Sequence, residues 1–446
     1  MARTAADIFS LPGTVAMFVE FEVALAAAQA ECGVVPPEAA AAIALHAPHV
    51  AIDLDALQAA TERTGYPVAP FVRQLTAACG DAGHWLHWGA TTQDLLISTR
   101  ARQVNEALGG IAAAVHSLTQ RLAVLADTHR GTVMAGRGFG GHALPITFGL
   151  KCAHWLAPFV RHAQRLSALR SRPVDGEFGG AMGTLASLGD TGLEVQARLM
   201  RRLGLPVPLA SASSARDAMC EALGLLALVC ATAAKTAQDV AALTWTEIAE
   251  LAEPTSGGKD TSSALPHKAN PIFSWQAVTA AQQVRQAADA MLEAMRQEQE
   301  RSGHGFIEAR VVPEAFIAAE RCLERLQRVL DGLQVDAGRM RRNLDLTGGL
   351  VVAEQVQMAL AGPLGRLQAH DLMHAACQQA VRERRPLAEV LAADPVVACH
   401  LDRARIDALL DPAGYLGATP ALIDRVLTAA RALPAPALAP APAPAA

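Results

Sequence analysis

The sequence predicts an all-α protein built from long helices. Apolar residues recur at helical spacing in six stretches, whereas the alternating apolar and polar runs typical of strands are nearly absent. The six stretches are 14–32, 111–126, 146–169, 216–251, 271–301 and 313–333. Several exceed the usual helix length of about 11 to 12 residues, so we expect three helical segments around a central long-helix bundle.

Glycines and prolines mark the expected divisions between these segments. An N-terminal helical domain is predicted for 1–108, and Gly109-Gly110 opens the central bundle domain, 109–355. A C-terminal domain of shorter helices, interrupted by prolines, follows over 356–432. The last residues, 433–446, form an Ala-Pro repeat that favours extended geometry, and we predict this tail to be disordered.

Composition limits the class of protein. The 446 residues are 51% hydrophobic with a net charge of −5, which suits a large core divided over about two to four domains. The mild acidity and the lack of a basic patch exclude a nucleic-acid partner. The N-terminus lacks the apolar core of a signal peptide, and the longest apolar run, 222–234, is too short to span a bilayer before Lys235. We therefore expect a cytoplasmic protein without membrane contact.

The eight cysteines lie far apart in the sequence. None shows the spacing of a Cys or His metal-ligand set, and most fall inside apolar helical patterns. We expect reduced core thiols, neither a metal site nor a disulfide framework.

Alanine-rich helix faces predict an oligomer. Residues 222–242 and 277–295 carry small apolar side chains that permit close approach of helices. So much small apolar surface on long helices indicates burial against other copies of the chain.

A first polar stretch, 87–94, lies between two helical patterns. It contains His87, Thr91, Thr92 and Gln93 beside glycine-permitted turns, and such donors at a helix start suit a carboxylate. An ordinary N-cap turn is the alternative, because Thr and Asp are common there for capping reasons.

A second polar stretch, 136–145, is rich in glycine and then runs into a helix. His142 within it could contact a ligand or could be a satisfied structural histidine.

A third polar stretch, 261–271, follows residues that cannot sustain a helix. It contains Ser262, Ser263, Lys268 and Asn270, a set equipped for anion binding and proton transfer. A surface linker is the alternative.

Smaller features suggest less. Residues 178–184 are typical of a close-packing turn, and the pairs Arg216-Asp217 and Glu300-Arg301 are typical of exposed charge pairs on helices. The Gly-x-Gly fragments do not follow a strand pattern, so a dinucleotide site is not expected.

The three polar stretches together resemble the motifs of one family. Residues 262–270, SSALPHKAN, are similar to the signature GSSxMPxKxN of the fumarase/aspartase superfamily, and 87–94 and 136–149 are similar to its GxTSxD and GRTHxxxAxPxTxG elements. The resemblance runs from about residue 10 to 432, with the motifs in the family's order. Residues 297–302, 335–352 and 410–417 most resemble the bacterial 3-carboxy-cis,cis-muconate cycloisomerases, in a branch shared with adenylosuccinate lyase.

The resemblance implies a homotetramer whose active sites each combine three chains, acting on a small di- or tricarboxylate without a metal or organic cofactor. The implied chemistry is addition or elimination across a bond next to a carboxylate, through a carbanion stabilised as an aci-carboxylate.

The resemblance also implies roles for individual residues. Ser262 is the implied proton-transfer residue, and His142 is a second catalytic candidate. The implied substrate-binding residues are His87, Thr91, Thr92, Gln93, Ser263, Lys268, Asn270 and Arg301.

Some positions depart from the family pattern. Gly138-Phe139 replace the Thr-His of many relatives, and cycloisomerases share an aromatic residue there, which supports lactone formation without an amine leaving group. Thr261, Leu265, Ala269 and Glu177 are further departures, of which the last two change charge near the expected site. A lyase that expels an amine or nitrite to give fumarate is therefore the alternative enzyme, and a non-catalytic scaffold is a third interpretation.

Overall fold

A computed structural model describes residues 3–254, 265, 268–303 and 305–436, and it confirms the all-α prediction. The helices are α1 Ala5–Phe9, α2 Leu11–Glu31, α3 Pro37–His46, α4 Leu54–Thr64, α5 Val68–Ala78, α6 Thr92–Thr128, α7 Phe148–Arg170, α8 Gly192–Leu203, α9 Asp217–Leu243, α10 Ile272–Ala294, α11 Gly305–Asp331, α12 Ala337–Asp345, α13 Ala353–Leu364, α14 Arg366–Glu383, α15 Leu387–Ala393, α16 Pro395–Ala398, α17 Arg403–Leu409 and α18 Thr419–Arg431. The strands are β1 Val133–Gly138, β2 Gly141–Thr147, β3 Leu251–Ala252 and β4 Gln334–Val335.

The central bundle consists of α6, α7, α9, α10 and α11, which pack side by side. Their apolar faces are fully buried at residues such as Leu118, Phe159, Leu226, Val284 and Phe316. The bundle is the long-helix core that the apolar periodicity predicts.

The expected start of the second long helix at residue 111 was wrong. Helix α6 begins at Thr92 and continues through Gly109 and Gly110, so no helix begins at these glycines. A helix-interior glycine costs up to about 1 kcal/mol, which the burial of residues such as Val104 and Leu118 on the same helix outweighs.

The second polar stretch forms an antiparallel hairpin of β1 and β2, which the sequence did not predict, and the hairpin runs into α7 at Phe148 as expected. Arg137 pairs with His142 across the hairpin, and the register is irregular between Ala135 and Arg137. Phe139 and Gly140 form the turn with φ of 52° and 83°, and the left-handed conformation is easy only for the glycine. This irregularity and the glycines hide the alternation by which a strand is recognised.

The described residues form one large core, one small core and a third cluster of four residues around Leu344. The large core includes residues from α1 to α11 and also Ile423 and Leu427 of α18, whereas α13 to α17 enclose a separate core around Leu360 and Leu391. The domain limits at 108/109, 355/356 and 432/433 stay predictions. Most of the predicted tail, 437–446, lies outside the described residues.

In the described part of the chain, three helices, α2, α6 and α9, are long and apolar enough to cross a membrane by length and composition. The argument from the short run 222–234 was therefore wrong, because α9 continues past Lys235. Between 39% and 44% of the most apolar part of each helix is buried within this chain. Long apolar helices of this kind also suit a bundle that continues into neighbouring chains.

Candidate active site

The first polar stretch forms the start of α6. Thr91 is the N-cap residue, and its N–H donates to the carboxylate of Asp94 at 2.8 Å, so the capping arrangement is present. Within the described part of the chain, the backbone N–H groups of Thr92 and Gln93 have no hydrogen-bond partner. Open amides at the positive end of a long helix, beside half-buried Thr and Gln side chains, suit a carboxylate ligand.

Asp94 connects the start of α6 to the turn 178–184. Its fully buried carboxylate accepts the N–H groups of Gly179 at 2.9 Å and Gly180 at 3.2 Å. Burial raises the pKa of Asp94 although these hydrogen bonds oppose the shift. Gly183 in the turn has φ of 75°, and a Cβ added there would lie only 2.7 Å from the Cβ of Ser211, which agrees with a close-packing turn.

Arg301 lies against the same turn. Helix α10 ends at Ala294, so Glu300-Arg301 is not the expected helical charge pair. The Nη2 group of Arg301 donates to the carbonyl of Ala181 at 3.1 Å, and its buried Nε has no partner in the part of the chain that the structure describes. One chain thus brings Arg301 beside the start of α6. We call residues 87–94, 178–184 and Arg301 the α6-start cluster.

Two polar residues of α2, which the sequence did not reveal as important, hold this cluster from behind. The carboxylate of Glu22 contacts Nδ1 of His87 at 2.7 Å and accepts the His87 backbone N–H at 2.9 Å. Gln29 donates to the carbonyl of Trp88 at 2.6 Å. Both α2 side chains are buried in a helix that is otherwise largely apolar, and that contrast is the sequence signal that could have identified them.

Glu177 and Arg216 support the cluster from another side. Glu177 is 1% exposed and accepts the N–H of Ala212, while its backbone N–H donates to Ser98 Oγ at 2.9 Å. Burial first, and then the charge of Asp94, raise the pKa of Glu177. Arg216 is buried in a bidentate pair with Glu308, at 2.7 and 2.6 Å, so the expected exposed charge pair Arg216-Asp217 was wrong.

The second polar stretch belongs to a different group of residues, which we call the hairpin cluster: Arg137, His142, Glu250 and Asn343. Arg137 forms a bidentate pair with the fully buried Glu250, at 2.9 and 2.5 Å, and Asn343 donates to the same carboxylate at 2.7 Å. Burial and the charge of Arg137 lower the pKa of His142. In the described residues no partner reaches the buried Nδ1 of His142, so this atom is available to a group outside them.

The described end of the third polar stretch leads into α10 beside Glu253. Glu253 lies three positions after Glu250 of the hairpin cluster, and its carboxylate accepts the N–H groups of Phe273 at 3.0 Å and Ser274 at 2.8 Å in the first turn of α10. Asn270 is half-buried and Lys268 is exposed just before that turn. The predicted catalytic Ser262, together with Thr261 and Ser263, lies outside the described residues.

The α6-start cluster and the hairpin cluster lie at opposite ends of the bundle. Helix α6 starts at Thr92 and has 37 residues, and β1 follows its other end, so the helix separates the two groups by roughly 55 Å. Helix α9 runs in the same sense, from Arg216 beside Glu308 to Leu243, whose carbonyl accepts the N–H of Glu250. No small carboxylate can span this distance, so a site that uses both clusters combines different chains.

Two family models match the chain. The model described as "Lyase" matches residues 6–286, and the model described as "Adenylosuccinate lyase C-terminus" matches residues 349–426. Residues 6–286 contain all three polar stretches, and 349–426 contain the small core.

Relatives agree with this assignment over nearly the whole chain. The chain is 39% identical over 419 residues to a 3-carboxy-cis,cis-muconate cycloisomerase of Bradyrhizobium diazoefficiens, covering 93% of each protein. It is 40% identical to the nitrosuccinate lyase of Streptomyces davaonensis, covering 92% of this chain and 90% of that one. The solved structure of beta-carboxy-cis,cis-muconate cycloisomerase from Acinetobacter calcoaceticus has a TM-score of 0.90 at 36% identity, covering 95% of this chain and 97% of that one. The chain therefore belongs to the lyase family of the fumarase/aspartase superfamily, and it is an enzyme of that family.

Proposed function

We propose that the enzyme converts 3-carboxy-cis,cis-muconate to a carboxymuconolactone. The observation that carries the proposal is the similarity along 93% of the chain to a relative that bears the cycloisomerase name. The exposed Phe139 at the hairpin turn supports it, because a histidine acid is replaced there by an apolar side chain that suits a reaction without an amine leaving group.

In the proposed reaction one carboxylate oxygen of the substrate adds to an alkene carbon. The alkene electron pair moves to the neighbouring carbon, where the adjacent carboxylate stabilises it, and that carbon then takes one proton. Ser262 has the proton-transfer role, with His142 as a second catalytic residue. The substrate carboxylates bind to Lys268 and Asn270 on one side and to Thr91, Thr92 and Gln93 on the other, with Ser263, His87 and Arg301 beside them. Open amides at the start of α6 add a fixed positive potential.

The reaction is redox-neutral, and its charge changes can be met by amide and cationic groups, so the proposal includes neither a metal nor an organic cofactor. Activity should therefore persist after dialysis against a chelator. The near-neutral charge balance and the eight free cysteines also support a cytoplasmic enzyme that needs neither a membrane nor a nucleic acid.

The test is an ultraviolet assay of diene loss with 3-carboxy-cis,cis-muconate. Ser262→Ala should lower turnover by about three orders of magnitude or more, as expected for loss of a proton-transfer residue. Ser256→Ala, which removes another hydroxyl from the same part of the sequence, is the matched control and should retain activity. Unchanged turnover in Ser262→Ala would reject the serine role.

A second candidate is a lyase that releases fumarate from a substituted succinate. The similarity to nitrosuccinate lyase favours it, at 40% identity. Ala269 stands where the resemblance to cycloisomerases leads us to expect an arginine, and loss of that charge favours a substrate with fewer carboxylates, such as nitrosuccinate. An enzyme that is inert with the muconate but forms fumarate from nitrosuccinate or adenylosuccinate would replace the first proposal by this one.

We further propose a homotetramer with active sites shared between chains. The separation of the α6-start and hairpin clusters within one chain supports this, as do the exposed apolar residues Leu228 and Leu292 on α9 and α10. Light scattering should give four chains at micromolar concentration, and a monomer would contradict the proposal.

Mixed variants test the sharing directly. Ser262→Ala and His87→Ala chains are unfolded together in equal amounts and reassembled. If each site takes Ser262 from one chain and His87 from another, each residue is intact in half of the sites. About one quarter of wild-type activity should therefore return. Each variant treated alone is the control. No recovery in the mixture would show that both residues act from the same chain.

A further inference from the structure

Glu22 is placed to control the state of His87. It lies on α2, its side chain has no accessible surface, and both carboxylate oxygens are directed at His87. One oxygen binds the backbone N–H of His87 and the other binds the ring at Nδ1. The backbone contact also supports a φ of 57°, a left-handed conformation that is uncommon outside glycine, asparagine and aspartate.

Anchoring of the loop does not explain this carboxylate. Gln29, about two turns further along α2, already holds the next residue through the carbonyl of Trp88. A buried carboxylate costs several kcal/mol unless a partner compensates it, whereas an amide would hold a backbone N–H with less desolvation. The negative charge of Glu22 therefore has its effect on the imidazole ring of His87.

The contact fixes which ring nitrogen faces outwards. With Nδ1 bound to Glu22, the free ring position of His87 is Nε2, which has no hydrogen-bond partner in the described ranges of the chain. The His87 side chain keeps 17% of its surface accessible. Nε2 is thus the ring nitrogen left for a ligand, in the loop that precedes α6, and it donates a hydrogen bond only when the ring is an imidazolium.

The groups that face the ring favour its charged form. Burial lowers the pKa of His87, but the hydrogen bond and charge of Glu22 from α2, together with the charge of Asp94 from α6, outweigh burial and raise the pKa. The Asp94 carboxylate is itself held by the amides of Thr91, Gly179 and Gly180.

We propose that Glu22 is a positioning residue that holds His87 as a fixed imidazolium, whose Nε2–H donates to a carboxylate of the substrate. This role rests on the proposed function only in requiring a carboxylate substrate, whichever of the two reactions the enzyme performs. A charge-assisted hydrogen bond to a carboxylate is about twice as strong as a neutral one.

The test measures binding of propane-1,2,3-tricarboxylate to the intact oligomer by calorimetry between pH 5.5 and 9, for the wild type, Glu22→Gln and Glu20→Gln. Affinity of the wild type should fall as the pH rises through the raised pKa of His87. Glu22→Gln should bind roughly five- to tenfold more weakly near neutral pH, and the difference should narrow as the pH falls towards 5.5, because a growing fraction of His87 in the variant is then protonated. Glu20→Gln removes an exposed charge from the same helix and should follow the wild type.

A purely structural role would weaken binding equally at every pH, and that result, or a Glu22→Gln curve identical to the wild type, would overturn the proposal. Failure of the wild type to bind the tricarboxylate would overturn it as well. If Glu22→Gln does not assemble by light scattering, His87→Gln replaces it, and its binding should lose the pH dependence while Glu22 remains.

The two proposals can fail separately. Binding with the predicted pH dependence but no turnover of the muconate would reject only the proposed substrate. Turnover of the muconate with pH-independent binding would reject only the role of Glu22.

Discussion

Replacement of Glu308 by alanine should be among the most destabilising single changes at the α6-start end of the molecule. Glu308 is in the first turn of α11, and its carboxylate forms two hydrogen bonds with Arg216, at 2.7 and 2.6 Å. The two side chains are only 10% and 5% exposed. Removal of the carboxylate leaves the guanidinium buried with one other hydrogen bond to the described residues, to the carbonyl of Ala212 at 3.1 Å.

The expected loss is about 3–5 kcal/mol in the free energy of unfolding, as for other buried pairs in which one partner is removed. We expect the loss to lie in the upper part of this range, because a second cation, Arg100, lies near Arg216. Burial and the charge of Arg216 lower the pKa of Arg100 to about 10, and Glu308 is the charge that opposes this shift. Without Glu308 the guanidinium groups of half-buried Arg100 and buried Arg216 repel each other without the charge that opposes this repulsion.

Urea unfolding at one fixed chain concentration measures the effect, because assembly also contributes to apparent stability. Glu314→Ala is the matched control on the same helix. The carboxylate of Glu314 is 3.7 Å from Arg310, and the two side chains are 58% and 68% exposed. We therefore expect its free energy of unfolding to change by no more than about 0.5 kcal/mol. If Glu308→Ala lowers the free energy of unfolding by less than about 1 kcal/mol, the argument that it leaves the charge of Arg216 buried without a partner is refuted.

Further predictions concern packing and pH. Gly149→Ala would place a Cβ 2.6 Å from the carbonyl oxygen of Ala126 and should destabilise the protein by about 2–3 kcal/mol. Gly110→Ala, on the open side of α6, should instead stabilise it by about 0.5–1 kcal/mol. Thermal or urea unfolding of both variants checks this contrast, and equal effects would contradict it. His162 is buried, contacts Thr232 at 2.8 Å, and burial lowers its pKa to about 4. The unfolded chain then binds protons that the folded chain does not, so stability should fall as the pH drops from about 6.5 towards 4. His162→Gln should make the urea midpoint depend less on pH between about 6.5 and 4. An unchanged pH dependence would show that other groups dominate.

Helix type was predictable where an apolar face has a clear period and a local end signal. The predicted stretch 146–169 corresponds to α7, Phe148–Arg170, because Thr147 caps the helix by accepting the N–H of Leu150. The predicted stretch 216–251 ended too late. Helix α9 stops at Leu243, and Ala249 has φ of 47° before Glu250 turns towards Arg137. The chain after α9 is thus directed to the ion pair between Glu250 and Arg137, residues far apart in sequence, and helical periodicity carries no information about such a pair.

The candidate site was predictable only as far as its motifs. The sequence identified His87 and Arg301 separately, but their approach to one cluster depends on the turn 178–184 and on Asp94. Glu22 was not identified, because a single acid in an apolar helix becomes informative only when its partner is known. The roles of Ser262 and Ser263 stay predictions, since both lie outside the described residues.

The sequence by itself determined the helical class, the long-helix core and the family, because apolar periodicity and short motifs are local properties of the chain. The tertiary structure decided that the polar stretch after α6 is a hairpin, that Glu308 and Glu250 pair with buried Arg216 and half-buried Arg137, and that α6 separates its two polar ends by roughly 55 Å. These features depend on contacts between residues far apart in sequence, whose energies come from burial and pairing, so no local pattern specifies them.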